Sequence, residues 1–175
     1  MIRSAIERPR RRQVTRLAPR LVACAGVVAL LIVLANADGA MSAIQGAFAR
    51  VTGGILSLFG ETVTVDGNTV QTGRFGISVV TACTGLFLTG LFSIAVIAFP
   101  TGLRSKLVGI GIGTGGLFVL NVVRLVSLYY VGVHLPGWLD TVHLLVWQSG
   151  LIVLAIALWL LWAGTQGRRH REATR

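Results

Sequence analysis

The chain has 175 residues, of which 54% are hydrophobic and 13% charged, and a formal net charge of +10. Its apolar residues come in runs that are too long for helices in the core of a soluble domain. The composition therefore excludes an ordinary soluble domain and predicts an all-α protein that crosses a membrane several times.

Four apolar segments are long enough to cross a bilayer, because about 20 helical residues span its hydrocarbon core. They cover residues 17–35, 77–99, 107–131 and 143–163. The sequence thus predicts about four transmembrane helices in a single membrane domain over residues 17–163. A basic N-terminus (1–16) and a basic tail (164–175) flank this domain.

Lysine and arginine are distributed unevenly along the chain. Seven arginines lie in the first 20 residues, two basic residues lie in loop 100–106, and four arginines follow Gly167. Because basic loops stay in the cytoplasm, we expect both termini on the cytoplasmic side of the cell membrane and loops 36–76 and 132–142 on the extracytoplasmic side. The positive charge then reflects topology and contact with anionic lipid, so we expect no nucleic-acid partner.

The first segment permits two interpretations. Its basic start, its apolar run and Ala35-Asn36-Ala37 also fit a cleavable signal peptide. We expect a retained helix, and the remaining topology is the same if the chain is cut after Ala37.

The first outer loop carries two predicted elements. Residues 41–59 alternate small and apolar residues around Gln45 and Arg50, which indicates an amphipathic helix at the membrane surface. Residues 62–70 alternate β-branched residues around Asp66-Gly67, a pattern typical of a β-hairpin. We expect this short hairpin to lie outside the membrane and to lead directly into the second helix.

The two cysteines are predicted to lie at opposite faces of the membrane. A disulfide between Cys24 and Cys83 would have to cross most of the bilayer, so we expect Cys24 to be a packing residue. Cys83 shares its predicted depth with two other reactive residues. Counted from the cytoplasmic ends of their helices, Cys83, Arg124 and His143 lie at about 24, 26 and 30 Å of helical rise.

Arg124 is costly in this position, since a central membrane arginine costs about 2.5 to 3.5 kcal/mol on insertion scales. Snorkelling of the side chain to the outer surface is the alternative to a buried site. Asn121 lies three residues earlier and Ser127 three later, so a polar stripe shares one face of the helix. The stripe favours an arginine that faces inward, toward a polar site.

His143 begins the fourth predicted helix, three residues after Asp140. Asp140 and Thr141 are also suited to cap this helix, and an interfacial histidine is often only a solvated end residue. The shared depth with a cysteine and an arginine favours a catalytic histidine, with Asp140 as a supporting residue.

Cysteine, histidine and arginine together predict acyl transfer through a thioester. A thiol becomes a nucleophile when a histidine takes its proton or a cation favours the thiolate, and an arginine stabilises the oxyanion that forms on attack. The chain has no HExxH, no GxSxG and no cluster of metal-ligating residues. We therefore expect neither a metal nor another cofactor.

Glycines four residues apart predict close packing of the third helix, either through Gly109 and Gly113 or through Gly111 and Gly115. Gly85 and Gly90 in the second predicted helix would let another helix, such as that of a substrate, approach closely.

Ala82-Cys83-Thr84-Gly85, Asn121-Val122-Val123-Arg124 and His143 follow one another on successive predicted helices after a hairpin. In this order they resemble the exosortase/archaeosortase family, in a compact form with fewer helices. The resemblance covers roughly residues 61–150. It implies an intramembrane cysteine transpeptidase with its active site on the extracytoplasmic side of the cell membrane. Substrates would be secreted proteins that end in a short motif, an apolar helix and a basic cluster; the enzyme removes this tail and passes the protein to an acceptor.

The resemblance also implies a role for each residue. Cys83 is the nucleophile, Arg124 stabilises the oxyanion or the thiolate, His143 is the general base and acid, and Asn121 orients Arg124. A second hypothesis is a non-enzymatic membrane partner or small transporter subunit, in which Arg124 is a buried charge for assembly or substrate passage. This hypothesis predicts that Cys83→Ala is silent while Arg124→Ala is not.

Overall fold

The computed structural model describes the backbone of residues 2–172 and the side chains of residues 18–167. About 81% of it is helical, as the composition predicted. The helices are α1 (Ile2–Asn36), α2 (Asp38–Leu58), α3 (Leu86–Ala98), α4 (Leu103–His134), α5 (Leu139–Thr141) and α6 (Gln148–Glu172). The strands are β1 (Val63–Asp66), β2 (Thr69–Thr72) and β3 (Gly76–Ser78). The backbone of both predicted basic ends is thus helical where it is described.

Three helical stretches are long and apolar enough to cross a membrane. They cover Ala18–Asn36, Leu103–His134 and Pro136–Gly167. The last runs continuously from a 3-10 turn through α5 and a π-helical segment (Val142–Trp147) into α6. Helix α3, with 13 residues, is only about 20 Å long, less than the hydrocarbon thickness of about 30 Å. Residues 18–167 therefore contain three full-length candidate spans and one shorter apolar helix, where the sequence predicted about four spans.

The predicted helix over 77–99 begins later than expected. Residues before Leu86 form strand β3 and a 3-10 turn (Thr81–Thr84), and Gly85 adopts a left-handed conformation with φ of +66°. A left-handed residue ends the turn and starts α3 in a new direction, which glycine tolerates without steric cost. The expected start of this helix at Ile77 was wrong, because an apolar run of β-branched residues serves a strand as well as a helix.

The three strands form one antiparallel sheet in the order β1-β2-β3. A two-residue loop joins β1 to β2, and its first residue, Gly67, has a φ of +55°, which tight hairpin loops need. This is the position at which the Asp66-Gly67 pattern predicted a hairpin. The third strand was not predicted, and it pairs Ile77 with Val70 of β2.

A first core cluster joins α2, the sheet, the 3-10 turn and α4. Helix α2 packs one face, which includes Phe48, Ala49 and Leu56, against β2 and α4. Helix α2, which the sequence predicted as an amphipathic helix at the membrane surface, therefore packs one face into the core of the protein. The cluster consists of Phe48, Ala49, Leu56, Val70, Val79, Cys83, Val122, Leu125 and Tyr129.

A second core cluster, made by Phe92, Val96, Leu117 and Ala155, joins α3, α4 and α6. Of the two glycine pairs in α4, the pair Gly109 and Gly113 is the one that packs. A Cβ at Gly109 would overlap the Trp162 ring and a Cβ at Gly113 the Phe92 ring, whereas Gly111 and Gly115 have no neighbour within 4 Å.

Gly90 of α3 does receive another helix at close range. The occupant is Leu31 of α1, whose side chain would overlap a Cβ at Gly90. This face of α3 is therefore filled by the protein itself and does not serve as a place for a substrate helix.

We expect Gly113→Leu to destabilise the fold and Gly115→Leu to have little effect. The first substitution forces a side chain into the Phe92 ring, and overpacking of this kind costs about 1–3 kcal/mol. Thermal unfolding followed by circular dichroism in detergent measures the difference. Equal Tm values for the two variants would contradict this packing.

Candidate active site

Cys83 lies in the 3-10 turn between β3 and α3, and not on a transmembrane helix as expected. Thr84 closes the turn, since its Oγ1 donates to the Thr81 carbonyl at 2.8 Å and accepts from the Leu86 amide at 3.3 Å. The Cys83 side chain is only 5% exposed. Cys24 and Cys83 are both free thiols. The turn thus fixes the thiol just before the start of α3.

Asn121 of α4 holds this turn from the other side. Its Nδ2 donates to the Cys83 carbonyl oxygen, and the residue is 1% exposed. Gly85 passes close by, because a Cβ there would lie 3.4 Å from Asn121 Cγ. A larger residue at Gly85 would press on the same amide. The contact places Asn121 at the cysteine turn, where the sequence had predicted only that it orients Arg124.

Arg124 lies one helical turn beyond Asn121 and is 2% exposed. The side chain does not reach the surface, so the snorkelling alternative does not hold. Its Nε and Nη2 have no hydrogen-bond partner among the described residues. A buried cation without a partner is expensive, and it marks a place where an anion is stabilised strongly.

Ser127, the third member of the predicted polar stripe, takes no part in this site. Its Oγ donates to the Arg124 carbonyl of its own helix at 2.8 Å. The stripe therefore contributes two residues, Asn121 and Arg124, to the surroundings of Cys83.

His143 lies within the π-helical segment and is half-buried. It does not start a helix as predicted, because the helical stretch already begins at Pro136. Helix α4, which carries Arg124, contacts both the 3-10 turn of Cys83 and the π-helical segment of His143. Helix α4 is thus the element that lies against the segments of both other residues of the predicted triad.

Two hydrogen bonds expected of a catalytic triad are not formed among the described residues. The Cys83 thiol forms none with His143, and the exposed Asp140 carboxylate forms none with the imidazole in the part of the chain that the structure describes. Within the same residues, no group of three or more histidine, cysteine or acidic side chains is arranged to hold a metal ion.

A cavity of about 360 Å³ opens beside the cysteine turn, between the first turns of α3 and α6. Its polar lining residues are Thr81, Arg124 and Gln148, and Gly85 also lines it. An apolar cavity of about 320 Å³ continues from it, because Leu88, Leu91 and Ile152 line both. Together they form one groove, the α3–α6 groove, which runs along the membrane helices and ends at Arg124.

The sequence reasoning missed two polar residues near the turn. Gln148 lines the groove, and its signal was a lone amide in an apolar run five residues after His143. Gln45 of α2 donates through Nε2 to Thr81 Oγ1 at 3.1 Å and so ties α2 to the cysteine turn. The two residues are 36 positions apart in the sequence, so no local pattern indicates this contact.

A comparison with protein-family models gives a match. The family model for transmembrane exosortases matches residues 10–163, which include the cysteine turn, Asn121, Arg124 and His143. No curated protein and no solved structure matches the chain significantly. Since the family match covers most of the chain, the protein belongs to the transmembrane exosortase family.

Proposed function

We propose that this protein is an intramembrane cysteine transpeptidase that cleaves the C-terminal membrane-anchor sorting signal of secreted proteins. Membership of the exosortase family implies a membrane sorting transpeptidase at the level of the family. The observation that carries the assignment in this chain is the buried Arg124 guanidinium, whose Nε and Nη2 have no partner among the described residues, one helical turn from the Asn121 amide that binds the Cys83 carbonyl. Such a pair suits a reaction in which negative charge develops beside the sulfur.

The proposed reaction begins when Cys83 Sγ attacks the carbonyl carbon of the scissile peptide bond and its proton passes to His143. The carbonyl oxygen becomes an oxyanion that pairs with Arg124. When this intermediate collapses, the C–N bond breaks and His143 returns the proton to the leaving amine of the tail. The secreted protein is then held as a thioester on Cys83.

The second half of the reaction reverses these proton transfers. An acceptor nucleophile, such as water or the hydroxyl of a lipid or glycan, attacks the thioester carbonyl and gives its proton to His143. The C–S bond breaks, and the sulfur takes the proton back. Asn121 keeps the turn in place through both halves, and Asp140 acts as the supporting charge near His143.

The α3–α6 groove supports an apolar anchor as part of the substrate. Its lower part is lined only by apolar side chains, and its upper end opens on Arg124 and Gln148. An apolar segment in this groove would present the bond at its outer end to the cysteine turn. The predicted placement of basic loops puts that end on the extracytoplasmic side of the cell membrane.

We expect Cys83→Ala to abolish processing, because loss of a covalent nucleophile costs several orders of magnitude in rate. The measurement is the length of a co-expressed secreted protein that ends in a motif, an apolar helix and a basic cluster. Cys24→Ala is the matched control and should process normally. Unchanged processing by Cys83→Ala would sink the cysteine mechanism.

Arg124→Gln is expected to slow processing by about 10²–10³-fold, the usual cost of losing an oxyanion donor. Arg124→Lys keeps the charge without the planar fork and should fall between this variant and the wild type. Processing rates of the same substrate measure both, with Arg50→Gln on the exposed side of α2 as control. If Arg124→Gln abolished the biological function while Cys83→Ala left it intact, the assembly or transport hypothesis would be favoured instead.

Asn121→Ala should reduce processing and also loosen the cysteine turn, since the Cys83 carbonyl loses its donor. In a Cys24→Ala background, labelling by a membrane-permeable maleimide reports on Cys83 alone, and it should become faster. Ser127→Ala removes a hydroxyl one turn beyond Arg124 and should change neither measurement. Slow labelling that matched the wild type would argue against a positioning role for Asn121.

A further inference from the structure

A second polar region lies at the end of the bundle remote from Cys83. There the loop between α3 and α4 meets α1 and the last turns of α6. Two cavities of about 620 and 590 Å³ open in this region. Both are lined by Ser105 and Gln166, so they adjoin one another.

Positive charge is concentrated around these cavities. Arg20 lines one of them and Arg104 lines the other. Lys106 lies nearby, and the charge of Arg20 acts on it, while its Nζ donates to the Ile97 carbonyl at the end of α3. The four acidic residues whose side chains are described, Asp38, Glu61, Asp66 and Asp140, line neither cavity. Like charges gathered without a carboxylate among the described side chains favour an anionic ligand.

Hydroxyl and amide groups complete the polar mouth of the cavities. Thr101 and Ser105 come from the loop and the first turn of α4, and Gln166 comes from α6. Gln166 Nε2 donates to Thr165 Oγ1 at 3.1 Å, which orients the amide at the rim. These groups can accept or donate hydrogen bonds beside the two arginines, as a phosphate ester requires.

The first cavity continues from this mouth along the membrane-spanning part of the bundle. Its wall there is apolar and includes Val108, Ile112 and Leu161, whose side chains are 52%, 68% and 70% exposed. A cationic mouth above an apolar slot between two membrane helices fits an amphiphile with a negatively charged head.

We propose that this region, the Arg20–Arg104 site, binds an anionic glycerophospholipid. The phosphate lies between the two arginines, and an acyl chain follows the slot between α4 and α6. Inorganic phosphate shares the head-group chemistry but lacks the part that fills the slot. The site is separate from the cysteine turn and does not depend on the reaction proposed for it.

Native mass spectrometry of the purified full chain, incubated with phosphatidylglycerol or phosphatidylcholine, tests the proposal. The wild type should retain phosphatidylglycerol preferentially. Arg20→Gln with Arg104→Gln should weaken that binding by about 30-fold, the factor that two basic residues contribute near an anionic lipid. Arg50→Gln with Arg74→Gln removes the same charge near the other end of the molecule and should preserve the preference.

A second variant tests the slot with every charge retained. Ile112→Trp should obstruct the acyl chain and reduce phosphatidylglycerol binding, while helicity measured by circular dichroism stays unchanged. This variant also keeps the test valid if the double arginine variant fails to fold. Equal retention of the two lipids by the wild type would overturn the proposal. So would displacement of phosphatidylglycerol by excess inorganic phosphate, which would indicate a simple anion site.

Discussion

The hydrogen bond from Asn121 to the Cys83 carbonyl joins two structurally different parts of the molecule. On one side lie α2 and a three-stranded sheet, and on the other a bundle of membrane helices. Asn121 is almost fully buried, so losing this bond would leave a buried amide unpaired. The turn that carries the thiol is therefore positioned by the membrane bundle, although it does not itself belong to a membrane helix.

The same helix face explains why Arg124 is tolerated where it is. A buried arginine in a membrane protein is costly, so the packing of the surrounding fold must offset its free-energy cost. The two core clusters pack against the middle of α4, one through Leu125, next to Arg124, and the other through Leu117, one turn before Asn121. The cost of an incompletely paired guanidinium is thus offset by the packing of the helix that carries it, and Arg124 lies at the wall of the groove.

Much of the architecture could be predicted because its signals are local. Apolar runs of 19 or more residues identified the long helices, and a polar residue every third position identified the Asn121 and Arg124 face. The Asp-Gly pattern identified the hairpin. The third strand, the cysteine turn and the groove could not be predicted in this way, since they depend on pairing with β2 and on the φ of Gly85. An apolar stretch beginning at Ile77 has no local feature that excludes a continuous helix.

The shortness of α3 has a consequence for the surrounding lipid. A bilayer that meets a hydrophobic wall of about 20 Å adapts by thinning, because exposing acyl chains to polar groups costs more than compressing them. The α3–α6 groove runs along this wall, so thinning there would occur on the side of the proposed substrate path. For the proposed reaction, it would shorten the path that water or another polar acceptor takes through the bilayer to the cysteine turn.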